Sequence, residues 1–156
     1  MAVGDLKFSA GWSFSAYMDT DLNSLANGAV NVGAVIIDNT TNMHRHFKAE
    51  LVLASLDLAT YANGSVDLYL VPIGSSTSYS DTGTDASTTV MPPGTYSAGR
   101  FGFMNTNAAQ LGTIEMQFYL TPGKYTPVVV NKLGVALAAS GNTLKIATTS
   151  DNVAQS

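Results

Sequence analysis

Hydrophobic and polar side chains alternate along several short stretches of this chain. The clearest example is Gly112–Leu120, where Ile, Met, Phe and Leu at even positions alternate with Thr, Glu, Gln and Tyr at odd positions. Alternation with a period of two is the pattern of a strand with one buried face. Phe47–Leu56 begins with the same period. Further strands are predicted in five apolar or alternating runs, Ala29–Asp38, Ser65–Val71, Arg100–Asn105, Tyr125–Asn131 and Val135–Thr148.

The segments between these runs carry turn residues. In Thr121–Lys124, Pro122 presets its own φ angle and Gly123 tolerates a positive φ, so we predict that this turn joins two strands into a hairpin. Phe47–Pro72 contains a similar unit, a strand followed by a Gly-containing turn and a second strand. We interpret both units as hairpins of one sandwich.

Helical signals are confined to one short segment near the N-terminus. Asp19 or Asp21 can cap a helix there, Leu22 and Leu25 lie three positions apart, and Asn27-Gly28 is a stop signal. These residues predict one or two helical turns and no other helix. We therefore divide the chain into an N-terminal arm with a short helical turn, residues 1–27, and a β-sandwich domain, residues 28–156.

Seven or eight short strands separated by Gly, Pro, Asn and Ser turns are typical of an all-β, single-domain antiparallel sandwich of the immunoglobulin or jelly-roll kind. We favour the jelly roll. Gly74–Gly99 interrupts the pattern, because it is rich in Ser, Thr and Gly and contains Pro92-Pro93. A loop of this length is uncommon without a purpose, so it is either a contact loop or a mobile projection.

Charge is scarce in this sequence. Charged residues make up 12% of its 156 residues, whereas an ordinary globular domain has about 25%. Seven basic residues are scattered among eleven acids, so no positive stripe for nucleic acid is expected. The first residues lack a signal-peptide pattern, and no apolar run approaches the ~18 residues of a membrane helix. So little surface charge favours an assembly that buries subunit faces.

Candidate catalytic and metal-binding groups are few. His44 and His46 have the spacing of a shared metal site, but the chain has no cysteine and no third histidine. Asp81 and Asp85 lack the acidic density and closing Glu of a calcium loop. The sequence has no Gly-x-Ser-x-Gly motif, and Glu50 occupies an outward position of a predicted strand. We expect no metal, no cofactor and no enzymatic activity.

Aromatic residues are the candidate binding groups. Four of them lie near the N-terminus among small residues, Phe8, Trp12, Phe14 and Tyr17. They either close the sandwich or form an arm that docks on a partner. Our hypothesis is that Phe8 and Trp12 anchor the protein to a partner, whereas Phe14 and Tyr17 belong to its own core. Tyr79 and Tyr96 of the long loop are further candidate partner contacts, and Tyr61 could join them in ligand binding.

Parts of the sequence resemble small structural proteins encoded by tailed phages. The resemblance runs from Val32 onward and is carried by Gly134–Leu144 (GVALAASGNTL), Leu120–Tyr125 (LTPGKY), Val66–Pro72 (VDLYLVP) and the Tyr-x-Asp sequence at Tyr79–Asp81. Members of that family are virion structural proteins, and their size and fold class are similar to those of head decoration proteins.

The resemblance implies a non-enzymatic decoration (cement) protein on the outer surface of a virion capsid. Such a protein would bind the major capsid protein, stabilise contacts between capsid subunits and assemble as a homotrimer. It would need neither a cofactor nor a membrane. The alternative is a receptor-binding or carbohydrate-binding module of a phage fibre, which would have a glycan as its ligand.

Overall fold

The computed structural model of the protein describes residues 12–41, 44, 46–56, 64–73, 92, 94–103 and 110–149. These residues form nine strands, β1 Ser13–Met18, β2 Val30–Val32, β3 Ile37–Asp38, β4 His46–Leu56, β5 Ser65–Ile73, β6 Ser97–Gly102, β7 Gln110–Tyr119, β8 Lys124–Lys132 and β9 Thr143–Thr149. Two 3₁₀ helices, Thr20–Leu22 and Gly94–Tyr96, complete the described secondary structure. Among the described helices there is none of the length and apolarity that crossing a membrane requires.

The strands form two antiparallel sheets. In the first sheet the order is β1-β9-β4-β7, and in the second it is β2-β8-β5-β6, with β3 pairing on β8 beside β2. The chain changes sheet at each step except between β5 and β6 and between the two short strands β2 and β3. Counted with β2 and β3 as one interrupted strand, this is an eight-stranded jelly roll. The prediction of an all-β antiparallel sandwich is confirmed.

The core lies between the two sheets. β4 contributes Phe47, Ala49, Leu51 and Leu53 to this core, each at most 1% exposed. Phe47 stacks on its register partner Phe118 of β7, with a distance of 5.6 Å between the ring centroids. Complete burial of each large apolar side chain contributes about 1.5–3 kcal/mol to stability. The alternation seen in the sequence therefore identified the buried face of β4 correctly.

Both predicted hairpins are wrong. β7 belongs to the first sheet and β8 to the second, so the Thr121–Lys124 turn is a corner between sheets. β4 and β5 are likewise in different sheets. Asn39, which is 1% exposed, helps to hold the corner, because its amide nitrogen donates to the carbonyls of His44 and Thr121 at 2.8 and 3.3 Å. A turn sequence fixes a change of direction but not the partner of the next strand.

The predicted strand Ala29–Asp38 is divided into β2 and β3, and Pro127 of β8 explains the division. The backbone N–H of Gly33 donates to the Pro127 carbonyl at 2.8 Å. In an antiparallel ladder the reciprocal bond would come from residue 127, but proline has no N–H. The hydroxyl of Thr126 supplies the missing bond, since it donates to the Gly33 carbonyl at 3.0 Å. A buried side chain thus replaces one rung of the ladder.

The N-terminal part of the sandwich begins earlier than the sequence indicated. β1 lies within residues 1–27, the proposed arm, yet it pairs with β9 in the first sheet. The expected helical turn is present as the 3₁₀ helix Thr20–Leu22, whose N-cap is Asp19. At the end of the predicted long loop, β6 begins at Ser97, three residues before Arg100, where the sequence predicted the next strand to begin.

Replacing Thr126 with valine tests the substitute hydrogen bond. Thr126 is 0% exposed. Thr126→Val is expected to lower the free energy of unfolding by about 1–3 kcal/mol, because the Gly33 carbonyl loses its donor. Urea denaturation measures this loss. The matched background is the Pro127→Ala variant, in which residue 127 has a backbone N–H that can donate to the Gly33 carbonyl. In that background Thr126→Val should lower the free energy of unfolding by clearly less than it does in the wild type. Equal costs in the two backgrounds would contradict this account.

Candidate interaction surface

Several aromatic side chains lie outside the core on the outer face of the first sheet. We call this surface the aromatic face and define it by Trp12, Phe14, His46, Lys48 and Tyr119. Register places Phe14 beside Ala147 and Ala147 beside Lys48, while His46 pairs with Tyr119. Trp12 directly precedes β1, and its contact with Lys48 places its ring on the same side of the sheet as Phe14. The face spans all four strands of the sheet, a width of about 14 Å.

Trp12 and Phe14 lie at the β1 side of this face. The Lys48 ammonium nitrogen lies 5.3 Å from the centre of the Trp12 ring, which is a cation–π contact. Ala147 points away from the core but is only 1% exposed, since Phe14 and Lys48 flank it. Both rings are half-buried. Packing therefore restricts these two rings in the protein alone.

Tyr119 lies at the opposite side of the aromatic face. Tyr119 is 75% exposed to solvent, more than any other large hydrophobic residue in the described part of the chain. The His46 ring contacts it edge-on, with 4.9 Å between the centroids. An aromatic ring with a hydroxyl at its tip can bury apolar area and also form a hydrogen bond. Tyr119 is thus the most accessible large side chain of this surface.

Charges on the outer face of the first sheet balance one another. The Lys145 ammonium group lies 3.0 Å from the Glu50 carboxylate across β9 and β4. Lys48 is the second base, and the register of β7 places Glu115 directly opposite Glu50. Among the positions of this face that the structure describes, register thus places two bases and two acids, whose formal charges cancel. A partner would consequently be held by ring burial more than by long-range attraction.

The outer face of the second sheet has a different character. Six buried side chains form a separate cluster on this face, here called the valine patch, Val30, Val32, Tyr69, Val71, Val128 and Val130. Tyr96 is the described side chain packed against the patch. β5 and β8 are therefore buried on both faces, which explains why their sequences are apolar without alternation.

Asp67 lies on the same side of β5 as the valine patch, and its buried carboxylate is paired with two more exposed bases. Its side chain is 5% exposed, and its carboxylate accepts from Arg100 Nε and Lys132 Nζ, each at 2.7 Å. Burial alone would raise the pKa of Asp67. Hydrogen bonds from Arg100 and Lys132, together with their positive charge, outweigh burial and leave this pKa below its usual value. The group is a structural ion triad joining β5, β6 and β8.

The sequence-predicted partner contacts do not form one site. Phe8 and Tyr79 lie outside the described residues, as does Tyr61. Trp12 is on the aromatic face, whereas Tyr96 packs on the valine patch at the opposite side of the sandwich. The prediction that Phe14 belongs to the core is wrong, because register places it beside Ala147 on the outer face. Tyr17 does pack against the core.

Sequence reasoning missed Tyr119, His46 and Lys48 as members of a surface. The signal was present, because Tyr119 occupies a polar position in the alternation of β7 and Lys48 an outward position in β4. What the sequence lacked was the order of strands that brings β1 and β7 into one sheet. Within the described residues, no group of three or more His, Cys, Asp or Glu side chains could hold a metal ion.

Comparison with protein-family models, curated proteins and solved structures finds no match to this chain.

Replacing Asp67 with asparagine tests the ion triad. Because the pKa of Asp67 is lowered in the folded protein, its contribution to stability is present above the unfolded-state pKa of about 3.9 and is lost as pH falls further. At neutral pH, Asp67→Asn is expected to lower the free energy of unfolding by about 1–3 kcal/mol. Urea denaturation as a function of pH measures both the loss of stability at neutral pH and its disappearance at acidic pH.

The two stability curves are expected to converge at acidic pH. Asp38 also titrates there, because a hydrogen bond from Thr40 and an ion pair with Lys124 lower its pKa to about 2. This residue is unchanged in the variant, so the difference between the curves isolates Asp67. A difference that stays constant down to the acid limit would contradict the role of the carboxylate charge.

Proposed function

We propose that this protein is a non-enzymatic decoration protein of a tailed-phage capsid. It attaches to the major capsid protein through the aromatic face and stabilises contacts between capsid subunits. The single observation that carries the proposal is the group of three large rings outside the core, Trp12, Phe14 and Tyr119, on the outer face of one sheet. Jelly rolls are a recurrent architecture of viral capsid domains. The resemblance to phage structural proteins supports the same conclusion.

The physical case for attachment rests on rigidity and ring burial. Aromatic residues dominate binding energy at protein interfaces, and rings already held by packing lose little side-chain entropy on binding. Trp12 and Phe14 are half-buried, and the His46 ring packs against Tyr119. A sheet face that spans four strands offers a broad surface, which suits a protein partner such as a capsid subunit better than a small molecule.

A second candidate function is a carbohydrate-binding or receptor-binding module of a phage fibre. The exposed Tyr119 ring and its hydroxyl favour this function, because such a group can stack on a sugar and bond to it. Tyr96 contributes less to this alternative than the sequence suggested, since it packs on the valine patch. Both candidate functions use the aromatic face, so the ligand distinguishes them.

Alanine substitutions on the aromatic face test attachment. Trp12→Ala and Tyr119→Ala are each expected to weaken binding to capsids that lack this protein by about ten-fold or more, the loss typical of an interface anchor. Co-sedimentation with purified capsids measures the binding. Val35→Ala is the matched control, because Val35 is 49% exposed but lies outside the aromatic face.

Circular dichroism and melting temperature confirm that each variant is folded. If the folded Trp12→Ala and Tyr119→Ala double variant bound capsids undiminished, attachment through this face would be excluded. Binding of the wild type to a host glycan, lost in Tyr119→Ala and accompanied by no capsid binding, would establish the second candidate function instead.

Salt dependence is a separate test of how the face binds. Because the bases and acids on this side of the first sheet balance, capsid affinity is expected to change less than about two-fold between low and physiological ionic strength. Co-sedimentation over a salt series measures the change. A steep fall in affinity with salt would show that charge outside the aromatic face drives attachment.

A further inference from the structure

The two sheets of the sandwich have four edges, and three of them are protected against pairing with another chain. β1 has six residues and a register irregularity between Ala16 and Met18. β2 and β3 are only three and two residues long. β6 has six residues and an irregularity opposite Leu68 and Tyr69. Short, bulged or interrupted edge strands are the devices by which sheets avoid edge-to-edge association.

The fourth edge, β7, has none of these devices over most of its length. It contains ten residues and keeps an unbroken register with β4 from Gly112 to Tyr119. Among the described strands it pairs with β4 alone. Its sequence, QLGTIEMQFY, contains neither proline nor lysine, and Glu115 is its one charged residue. A long regular edge with a single charge is a template for adding another strand.

We infer that β7 is the contact between two copies of this protein, which pair through antiparallel β7 strands across a two-fold axis. A two-fold interface requires a surface that is complementary to itself. The edge of a strand meets this requirement in antiparallel pairing, because its backbone N–H donors and C=O acceptors match those of a second copy. The continuous sheet then contains eight strands. This inference is independent of the proposed function and names a two-fold rather than a three-fold contact.

An axis near the middle of the regular stretch Gly112–Tyr119 pairs the most residues, and charge decides between the two central positions, Glu115 and Met116. An axis through Glu115 would place the two Glu115 side chains opposite each other, which is unfavourable. An axis through Met116 instead places Glu115 opposite Gln117 of the second copy, and Thr113 opposite Tyr119. Because of the two-fold symmetry, the dimer contains this pair twice: Glu115 of each copy lies opposite Gln117 of the other. Position 117 therefore controls the charge complementarity of the interface.

The same axis places both aromatic faces on one side of the eight-stranded sheet. A two-fold axis perpendicular to a sheet keeps the outer faces of both copies on the same side. Tyr119 of each copy is three residues from Met116 and therefore lies about 10 Å from the axis along the strand. A dimer of this kind would present twice the aromatic area to a partner, with a corresponding gain in avidity.

Two substitutions at one exposed position test the inference. Gln117→Glu places a carboxylate opposite Glu115 of the second copy, and Gln117→Lys places an ammonium group there. We expect the dimer dissociation constant to rise about 2- to 30-fold for Gln117→Glu and to fall by a similar factor for Gln117→Lys. Sedimentation equilibrium of the full chain at low salt measures both constants.

The effect within one protein molecule has the opposite sign, which separates pairing from folding. Gln117 is the register partner of Lys48 in β4. A carboxylate at position 117 is therefore attracted to Lys48, whereas an ammonium group is repelled by it. Urea denaturation of the dilute monomer should show Gln117→Glu at least as stable as Gln117→Lys, although it dimerises less well.

Hydrogen exchange locates the contact. In the wild type, backbone amides of β7 should exchange more slowly as protein concentration rises, while amides of β1 and β6 should not change. The inference is overturned by a protein that stays monomeric at micromolar to millimolar concentration, or by an oligomer, including a trimer, whose β7 exchange is independent of concentration. It is also overturned if both substitutions at Gln117 shift the dissociation constant in the same direction.

Discussion

The apolar layer between the two sheets is the constraint on which the other features depend. Once Phe47, Leu51 and Leu53 of β4 point into that layer, the two-residue period of a strand forces Lys48 and Glu50 outward. The aromatic face is therefore the reverse side of the core. Its geometry is as fixed as the core itself, because any slip of register would expose the buried row along with it.

The second sheet obeys a stricter constraint, because β5 and β8 are buried on both faces. A polar group placed there must find its partner inside the protein. Asp67 meets this requirement with two bases, and Thr126 meets it by supplying the hydrogen bond that Pro127 cannot make. The free-energy cost of burying these polar groups is offset by hydrogen bonds and ion pairs between strands that are distant in sequence.

The outer faces of the two sheets thus differ in character. The second sheet buries its outer face with the valine patch, while the first leaves rings and balanced charges on its outer face. The first sheet also carries β7, the edge whose pairing with β4 is regular from Gly112 to Tyr119. Surfaces that favour association are therefore concentrated on one half of the sandwich. A chain with 12% charged residues has few charges with which to oppose such association.

The sequence by itself located most of the strands, the buried row of β4 and the class of fold, because alternation and turn residues act locally. It also gave the short helical turn after Asp19. It did not separate β1 from an arm, and it did not divide β2 from β3. Only the tertiary structure decided which strands pair, so it turned the Thr121–Lys124 hairpin into a corner and placed Phe14 outside the core. It likewise brought Trp12 and Tyr119 onto one sheet. Strand pairing depends on contacts between residues far apart in the chain, and no local pattern encodes those contacts.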